Sequence, residues 1–500
     1  MTAVRTVLIL MLLAANLPAQ GDLRLRLQHR LPEPRGVLEH YYTGDGWDFY
    51  SRVRFVRGRW GITLMTDKAR GEDWGDLLAG GVSYLPGRGS LRSISAGWLR
   101  ADLGTGLVLS VPGSFSDISE LSIYKPPVSR DRIEPATSPW GCRGEPLTGA
   151  GGTFLLGNLC VSALASVSRI DSVGEGYHRT PTEIAGRGSI PEVLGAFRIS
   201  LERTGLTAMA ARRDRGEGYG WFRTGLDWSL EAGDLNLSGE AALGGDSSGT
   251  SAAGWSSLSL RTGSFRNMLM VIRNPGDFPD ERRSPPVSRE CDLGVCLGFR
   301  WRAGSGVVVR SGAGGYFREG EDLLLVSGQF EYRFPWSMEG VTGLRTRVDG
   351  DETAWRWWLG SSWKPHRFVS VSSRVQISGW RDSSPDSSES GSGLEIKLRY
   401  LPSEVFTVDL GGAACSTDGY QSRIYAGGSS FPGVFGVTAL YGRTMAVFFQ
   451  LSAEIGEGAS LRFALSRRAT ENVESLGSGW EETEGASLTE LGFQLDYALR

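Results

Sequence analysis

The four histidines of this 500-residue chain, His29, His40, His178 and His366, are the first place to look for metal or acid–base chemistry. None has a second ligand at metal spacing, and no HExxH or CxxC run occurs. Gly104-Thr105-Gly106 invites comparison with a phosphate-cradling loop, but the Lys-Ser/Thr pair and the helix that such a loop opens are missing. No Gly-x-Ser-x-Gly nucleophile elbow is expected in this chain. Asp171, Tyr177 and His178 are the only loop residues from which an acid–base site could be assembled. The five cysteines, Cys142, Cys160, Cys291, Cys296 and Cys415, are odd in number and scattered, which predicts no disulfide framework. Barring a bulge, Cys291 and Cys296, five apart in a strand, face opposite ways and can share neither a disulfide nor a metal. These observations predict a protein that is not an enzyme and that carries no cofactor and no metal site.

The elements that would have to position any site are strands. Phe222, Leu226, Trp228 and Leu230 alternate with Arg223, Asp227 and Ser229. Leu324, Val326, Phe330, Tyr332 and Phe334 alternate with Ser327, Gln329, Glu331 and Arg333. Leu394, Ile396, Leu398 and Tyr400 alternate with Glu395, Lys397 and Arg399. A period of two is the signature of a strand with one apolar face. Short turns recur, at 57–59, 157–158, 231–234, 261–264, 429–433 and 455–458 among others, and between them lie connections that are usually longer. The longest are 111–147, 170–192, 274–289, 381–391 and 470–485. One-sided loop asymmetry of this kind, with glycine abundant (70 residues) and tryptophan frequent (16), predicts an all-β transmembrane barrel, up-and-down and antiparallel, of about 26 strands (24–28). A mean hydropathy of −0.18 fits, since only every second strand residue would face lipid. Trp355, Trp357, Trp358 and Trp363, with Trp301, Trp336 and Trp380 near other strand ends, predict interfacial girdles.

Residues 1–19 read as a cleaved signal peptide: Arg5, a short apolar run from Val7 to Ala15, and Leu17-Pro18-Ala19 before Gln20. Residues 20–500 would form the barrel in the bacterial outer membrane, with lipid and the barrel-insertion machinery as partners. The net charge of −3 offers no bulk attraction to nucleic acid. Oligomeric state is not legible.

The set expected to line the lumen is Arg52, Arg54, Arg223, Asp227, Glu331, Arg333, Glu395, Lys397 and Arg399. Its mixed signs predict no strong preference for either anions or cations. Leu91–Ser110 reads as one tilted wall strand delivering the longest loop. That loop, 111–147, holds Phe115, Ile118, Leu121, Ile123, Tyr124, Ile133 and Trp140, too many apolar groups for a solvated excursion. It is expected to fold over or into the lumen.

Gly97-Trp98-Leu99-Arg100-Ala101-Asp102-Leu103-Gly104-Thr105-Gly106-Leu107-Val108-Leu109 resembles the GDYxLxFGQGLxL signature of bacterial outer-membrane barrels usually fused to helix-hairpin-helix (ComEA-like) repeats. Trp98 stands at the tyrosine, Leu103 at the phenylalanine and Thr105 at the glutamine, and Asp102 is an inexact fit. Arg132-Ile133-Glu134-Pro135, Gly149-Ala150-Gly151-Gly152 and Arg273-Asn274-Pro275-Gly276-Asp277-Phe278 are similar to further segments of that family. The resemblance implies fold and location and no defined substrate. It makes Gly97, Trp98, Asp102, Gly104 and Gly106 the motif residues. Helix-hairpin-helix repeats are not expected here, so no DNA-binding role is carried over. A channel or transport conduit constricted by 111–147 is the expected function. The alternative is a structural or surface-interaction barrel with a closed lumen, and a soluble exported all-β protein is the remote third.

Overall fold

A residue pattern of period two dictates extended chain, and strands account for nearly all of the computed structural model. It describes residues 20–110, 128–139, 143–173, 176–214, 218–279, 282–283, 290–318, 321–384, 387–428, 431–434 and 436–499. Residues 1–19, read as a signal peptide, all of 111–127, which carries most of the apolar residues of the expected plug loop, Trp140 and Cys142 lie outside these. Among the described residues 25 strands share one hydrogen-bonded sheet. One of them, Arg130–Pro135, pairs only with Leu99–Gly104 and leaves 24 in the wall. Every wall pair is antiparallel. The first strand, Gln20–Leu31, pairs with the last, Ser487–Leu499, setting Gly21 opposite Leu499 and Leu31 opposite Thr489. This pairing closes the sheet and abolishes its edges.

The count expected from sequence exceeds 24 because of one hairpin. Ile424–Gly427 pairs with Val437–Leu440, but neither joins the wall. Phe406–Thr417 pairs directly with Arg443–Ile455 across its base. The turn expected at 429–433 therefore belongs to a hairpin folded inward and not to the barrel rim.

Connections of two to six residues join strands at the end that carries both chain ends. The opposite end carries 32–46, 171–189, 275–290, 418–442 and 471–486, although 247–248 and 350–351 there are tight turns. The outward face is apolar right round the wall: Ile62, Leu226, Leu243, Leu269, Leu297, Val326, Leu359, Ile396, Val447 and Phe493 are all exposed. Trp60, Trp336 and Trp363 are exposed at the short-turn rim. Trp358 departs from the expected girdle, because strand parity turns it inward and leaves it 9% exposed.

The cysteines form no disulfide among the described residues. A register shift between Ile272 and Asn274 puts Cys291 opposite buried Asn274, and Cys296 pairs with buried Met270. This irregularity brings both cysteines to the same inward face, against the expectation for regular alternation.

Candidate functional site

The interior is organised by a strand that leaves the wall halfway along. Leu91–Trp98 pairs with Thr148–Phe154 on one side, and Ile94–Gly97 pairs with Gly81–Tyr84 on the other. At Gly97 the backbone has φ +104°, and a Cβ there would lie 2.7 Å from the Gly81 Cα. Only glycine combines that left-handed backbone with that close approach. Beyond the bend, Leu99–Gly104 pairs with Arg130–Pro135 inside the barrel. The single wall strand expected over Leu91–Ser110 is thus wall to Trp98 and lumen beyond. Trp98 stays at the bend and packs on Tyr50, Met65, Leu77 and Ala79.

Apolar contact holds the inner segment. Leu99, Leu103, Leu107 and Leu109 are at most 2% exposed and belong to one cluster with the inward side chains Leu164, Leu194, Met209, Trp255 and Met270. Burying a leucine this fully contributes about 1.5–3 kcal/mol. Polar clasps fix its register. The Leu103 N–H donates to the Leu109 carbonyl (2.9 Å), closing a tight loop over Gly104-Thr105-Gly106. Into that loop projects Glu240 of the wall strand Leu235–Asp246, accepting from the Thr105 hydroxyl and from the Leu107 N–H at 3.1 Å. Trp255 Nε1 donates to the Thr105 hydroxyl at 3.1 Å. Gly104 has φ +81°, and a Cβ there would stand 3.0 Å from Glu240 Oε1. Gly106, also at positive φ, completes the loop. The Gly-Thr-Gly turn therefore cradles a carboxylate of its own wall.

The return strand is held by Arg198, 2% exposed, which bonds Asp131, Thr207 (2.8 Å) and Asp227 (3.1 Å). Ser200 donates to Asp131 at 2.8 Å. Asp102 accepts from Ser110 (2.7 Å) and Arg100 (3.0 Å) within the inner segment. The connection after Asn274 also turns inward. Its Phe278 is 1% exposed, and its Arg282 donates to the Pro146 carbonyl (3.0 Å) and to Glu192 (2.6 Å), which also holds Arg213 (2.8 Å). Three of the motif-like segments, around residues 97–109, 132–135 and 273–278, therefore meet inside the barrel.

All nine expected lumen residues lie on the face opposite the exposed apolar side chains, but they do not line one open pore. Arg223 and Asp227 are completely covered by the in-folded segments. Arg52 bonds Asp22 (2.7 Å) and reaches the Thr137 carbonyl of the inner segment, and Arg54 stands 3.7 Å from Asp22. Glu331 pairs with Arg310 at 2.7 Å, and Arg333, near the short-turn rim, pairs with Glu339 at 3.0 Å. Glu395 pairs with Lys397 (2.7 Å) and accepts from the Gly427 N–H of the inward hairpin (2.9 Å). Arg399 pairs with Asp409 at 2.6 Å. That hairpin packs Ile424, Ala426 and Leu440 on Cys415, and Phe431 beyond it lies against Gly492.

The long-loop mouth is laced by ions. His178 Nδ1 faces Asp76 at 2.8 Å and Nε2 faces Asp171 at 2.9 Å. Arg143 bridges Asp67 (2.6 Å) and Glu72 (2.7 Å), and Arg187 pairs with Asp76 at 3.1 Å. Burial opposes charge on His178, but the bonds to Asp171 and Asp76 outweigh it and raise its pKa to about 9. Glu72, Asp76 and His178 bring three potential metal-ligand atoms within 4.8 Å of one another, a grouping that sequence spacing hid. Both ring nitrogens already face carboxylates, so a metal would have to displace one. Among the described residues the partners of this ring are the carboxylates of Asp76 and Asp171. Gly245-Asp246-Ser247-Ser248-Gly249, which has elbow spacing, is a hairpin turn between wall strands.

Sequence reasoning missed Glu240, Arg198, Arg282 and the inward hairpin. Parity alone could have found Glu240, which sits opposite Asp227 on the same face. Two neighbouring buried acids demand partners from inside.

No family model matches the sequence, and no curated protein matches it. Solved structures do resemble this chain. The P pilus usher (PapC) translocation pore aligns over 96% of this chain and 99% of its own, at 10% identity and TM-score 0.43. The FrpB iron transporter from Neisseria meningitidis aligns over 96% and 83%, at 9% identity and TM-score 0.44. An anion-selective porin from Comamonas acidovorans aligns over 68% and 99%, at 12% identity and TM-score 0.33.

Proposed function

We propose that this chain is an outer-membrane barrel serving as a transport conduit, narrowed by its own segments 99–110, 128–139, 418–428 and 436–440. The observation that carries the reading is the closed wall, apolar outside, with Leu99–Leu109 buried against its inward face. Apolar side chains exposed right round a molecule demand a lipid solvent. A barrel of this many strands encloses more space than wall side chains can fill, so its own chain sets the bore. Location in the outer membrane of a bacterium, after export by a cleaved signal peptide, belongs to the same reading. Heat-modifiable gel mobility in the outer-membrane fraction is expected, and a soluble periplasmic pool would overturn it.

Conductance tests the conduit. Trp98 and Thr148 are paired neighbours in the wall, so replacing 99–147 by a short glycine-rich turn preserves the barrel. In planar bilayers the intact protein should give small steps and the shortened one steps several-fold larger. Unchanged conductance would remove the inner segment from any gating role. The second reading, a surface-interaction barrel with a closed lumen, is favoured by one observation: the clasps at Glu240, Arg198 and Glu192 lock the segment in place. It wins if the intact protein never conducts at any voltage while the shortened one does.

A further inference from the structure

In-folded chain neutralises the charges of one arc of the wall, pairing Arg198 with Asp131 and Asp227, and Arg213 and Arg282 with Glu192. The opposite arc is different. Arg345 and Arg356 stand directly across from each other on the wall strands Met338–Asp349 and Glu352–His366. Like charges in such a pair destabilise a sheet. Arg423, just ahead of the inward hairpin, stands at the same place, and Arg356 lies close enough to both for like charges to repel.

These guanidinium groups line a cavity of about 220 Å³ with Arg347, Tyr425 and Trp380. Four arginines face two acids there, Asp349 and Glu352, a surplus of two positive charges. Asp349 is already bonded to Arg347. Arg356 and Arg423 have no carboxylate partner among the described residues. They stack on aromatic rings, Arg356 over Tyr425 at 4.4 Å and Arg423 over Tyr420 at 4.3 Å, while Arg423 Nε donates to the Tyr425 hydroxyl at 2.9 Å. Two buried nitrogens of cavity-lining residues, Arg356 Nε and Trp380 Nε1, lack an acceptor. Both are donors, and buried donors are nearly always satisfied by something.

We propose that this cavity is an anion-binding subsite for a small solute carrying a phosphate or carboxylate group, entering from the long-loop mouth. The proposal rests on the conduit reading and names the charge of what is carried. The volume lies below that of sites for drug-sized ligands, so it suits a small oxyanion or the charged head of a larger solute. A planar guanidinium fork matches either group, and an anion here would offset the positive surplus and the Arg345–Arg356 repulsion. The hairpin that follows Arg423 would also be tied to the wall through the ligand.

The test is calorimetric titration of the intact barrel in neutral detergent, at constant ionic strength, with inorganic phosphate in one arm and malonate in the other. Saturable binding is expected, and the tighter arm names the preferred group. Arg356→Gln and Arg423→Gln should each weaken it by roughly tenfold or more. Arg203→Gln, whose guanidinium pairs with Glu231 at a short turn far in sequence from this cavity's lining, should leave it unchanged. Heat-modifiable mobility checks that each variant has folded, and Arg423→Gln lies in a loop, outside the wall. No saturable binding in either arm, or equal weakening by Arg203→Gln, would overturn the site. Bilayer recordings on the same samples keep the two readings apart. Phosphate binding without conductance defeats the conduit alone, and conductance without binding defeats the subsite alone.

Discussion

Glu240 is a wall carboxylate, 1% exposed, whose Oε2 is satisfied by the chain that it holds in the lumen. Removing a partner from such a site leaves the other partner buried and unmet, at about 1–3 kcal/mol. Glu240→Ala should therefore speed hydrogen exchange at the Leu107 amide by roughly five- to a hundredfold. An unchanged rate would mean that the clasp holds nothing. His178 makes a pH prediction at the long-loop mouth, where Asp76, Asp171, Glu72, Arg143 and Arg187 surround it. Its pKa near 9 stands above the ordinary 6.5, so its stabilisation is whole below pH 6.5 and is lost as pH rises through about 9. Proteolysis of the loop carrying His178 should accelerate across that window, and His178→Gln should abolish the pH dependence.

At the scale of elements, the bend at Gly97 decides whether the chain continues up the wall or enters the interior. Gly97→Val would force a β-branched residue into a left-handed backbone and against Gly81. Loss of the heat-modifiable folded band is expected, whereas Gly195→Val, with open space for a Cβ, should retain it. Wall strands such as Tyr219–Ala232 were legible because one face meets an apolar environment and each apolar residue declares itself. The inner strand Leu99–Gly104 was not legible as such, because both its faces are buried and its apolar run mimics a wall strand. The inward hairpin had the same disguise, a turn between two strand-like runs. Parity identified the inward charges, but pairing across the lumen depends on chain that is distant in sequence. Arg198 meets Asp131 across 67 positions, and periodicity carries no signal for that.

At the scale of the molecule, an outer face that is apolar right round the wall departs from the order of a water-soluble protein. Leu226, midway along its strand and exposed, tests the solvent directly. Leu226→Arg should cost about 2–4 kcal/mol in liposome-based denaturant unfolding if mid-height is hydrocarbon. The inward Ser229→Arg should cost much less. Equal costs would argue against lipid at this face.

The seam between Gln20–Leu31 and Ser487–Leu499 has a consequence for assembly. It joins the two ends of the chain, so it can form only after everything between them has been made. Residues 99–110 and 128–139 are clasped by wall strands on either side of Asp227, so buried polar groups of wall and inner segment need each other. Pulse-labelled hydrogen exchange during refolding should therefore find the Leu107 amide protected in the same step as the amides of the seam, and protection long after the seam has closed would separate the two events.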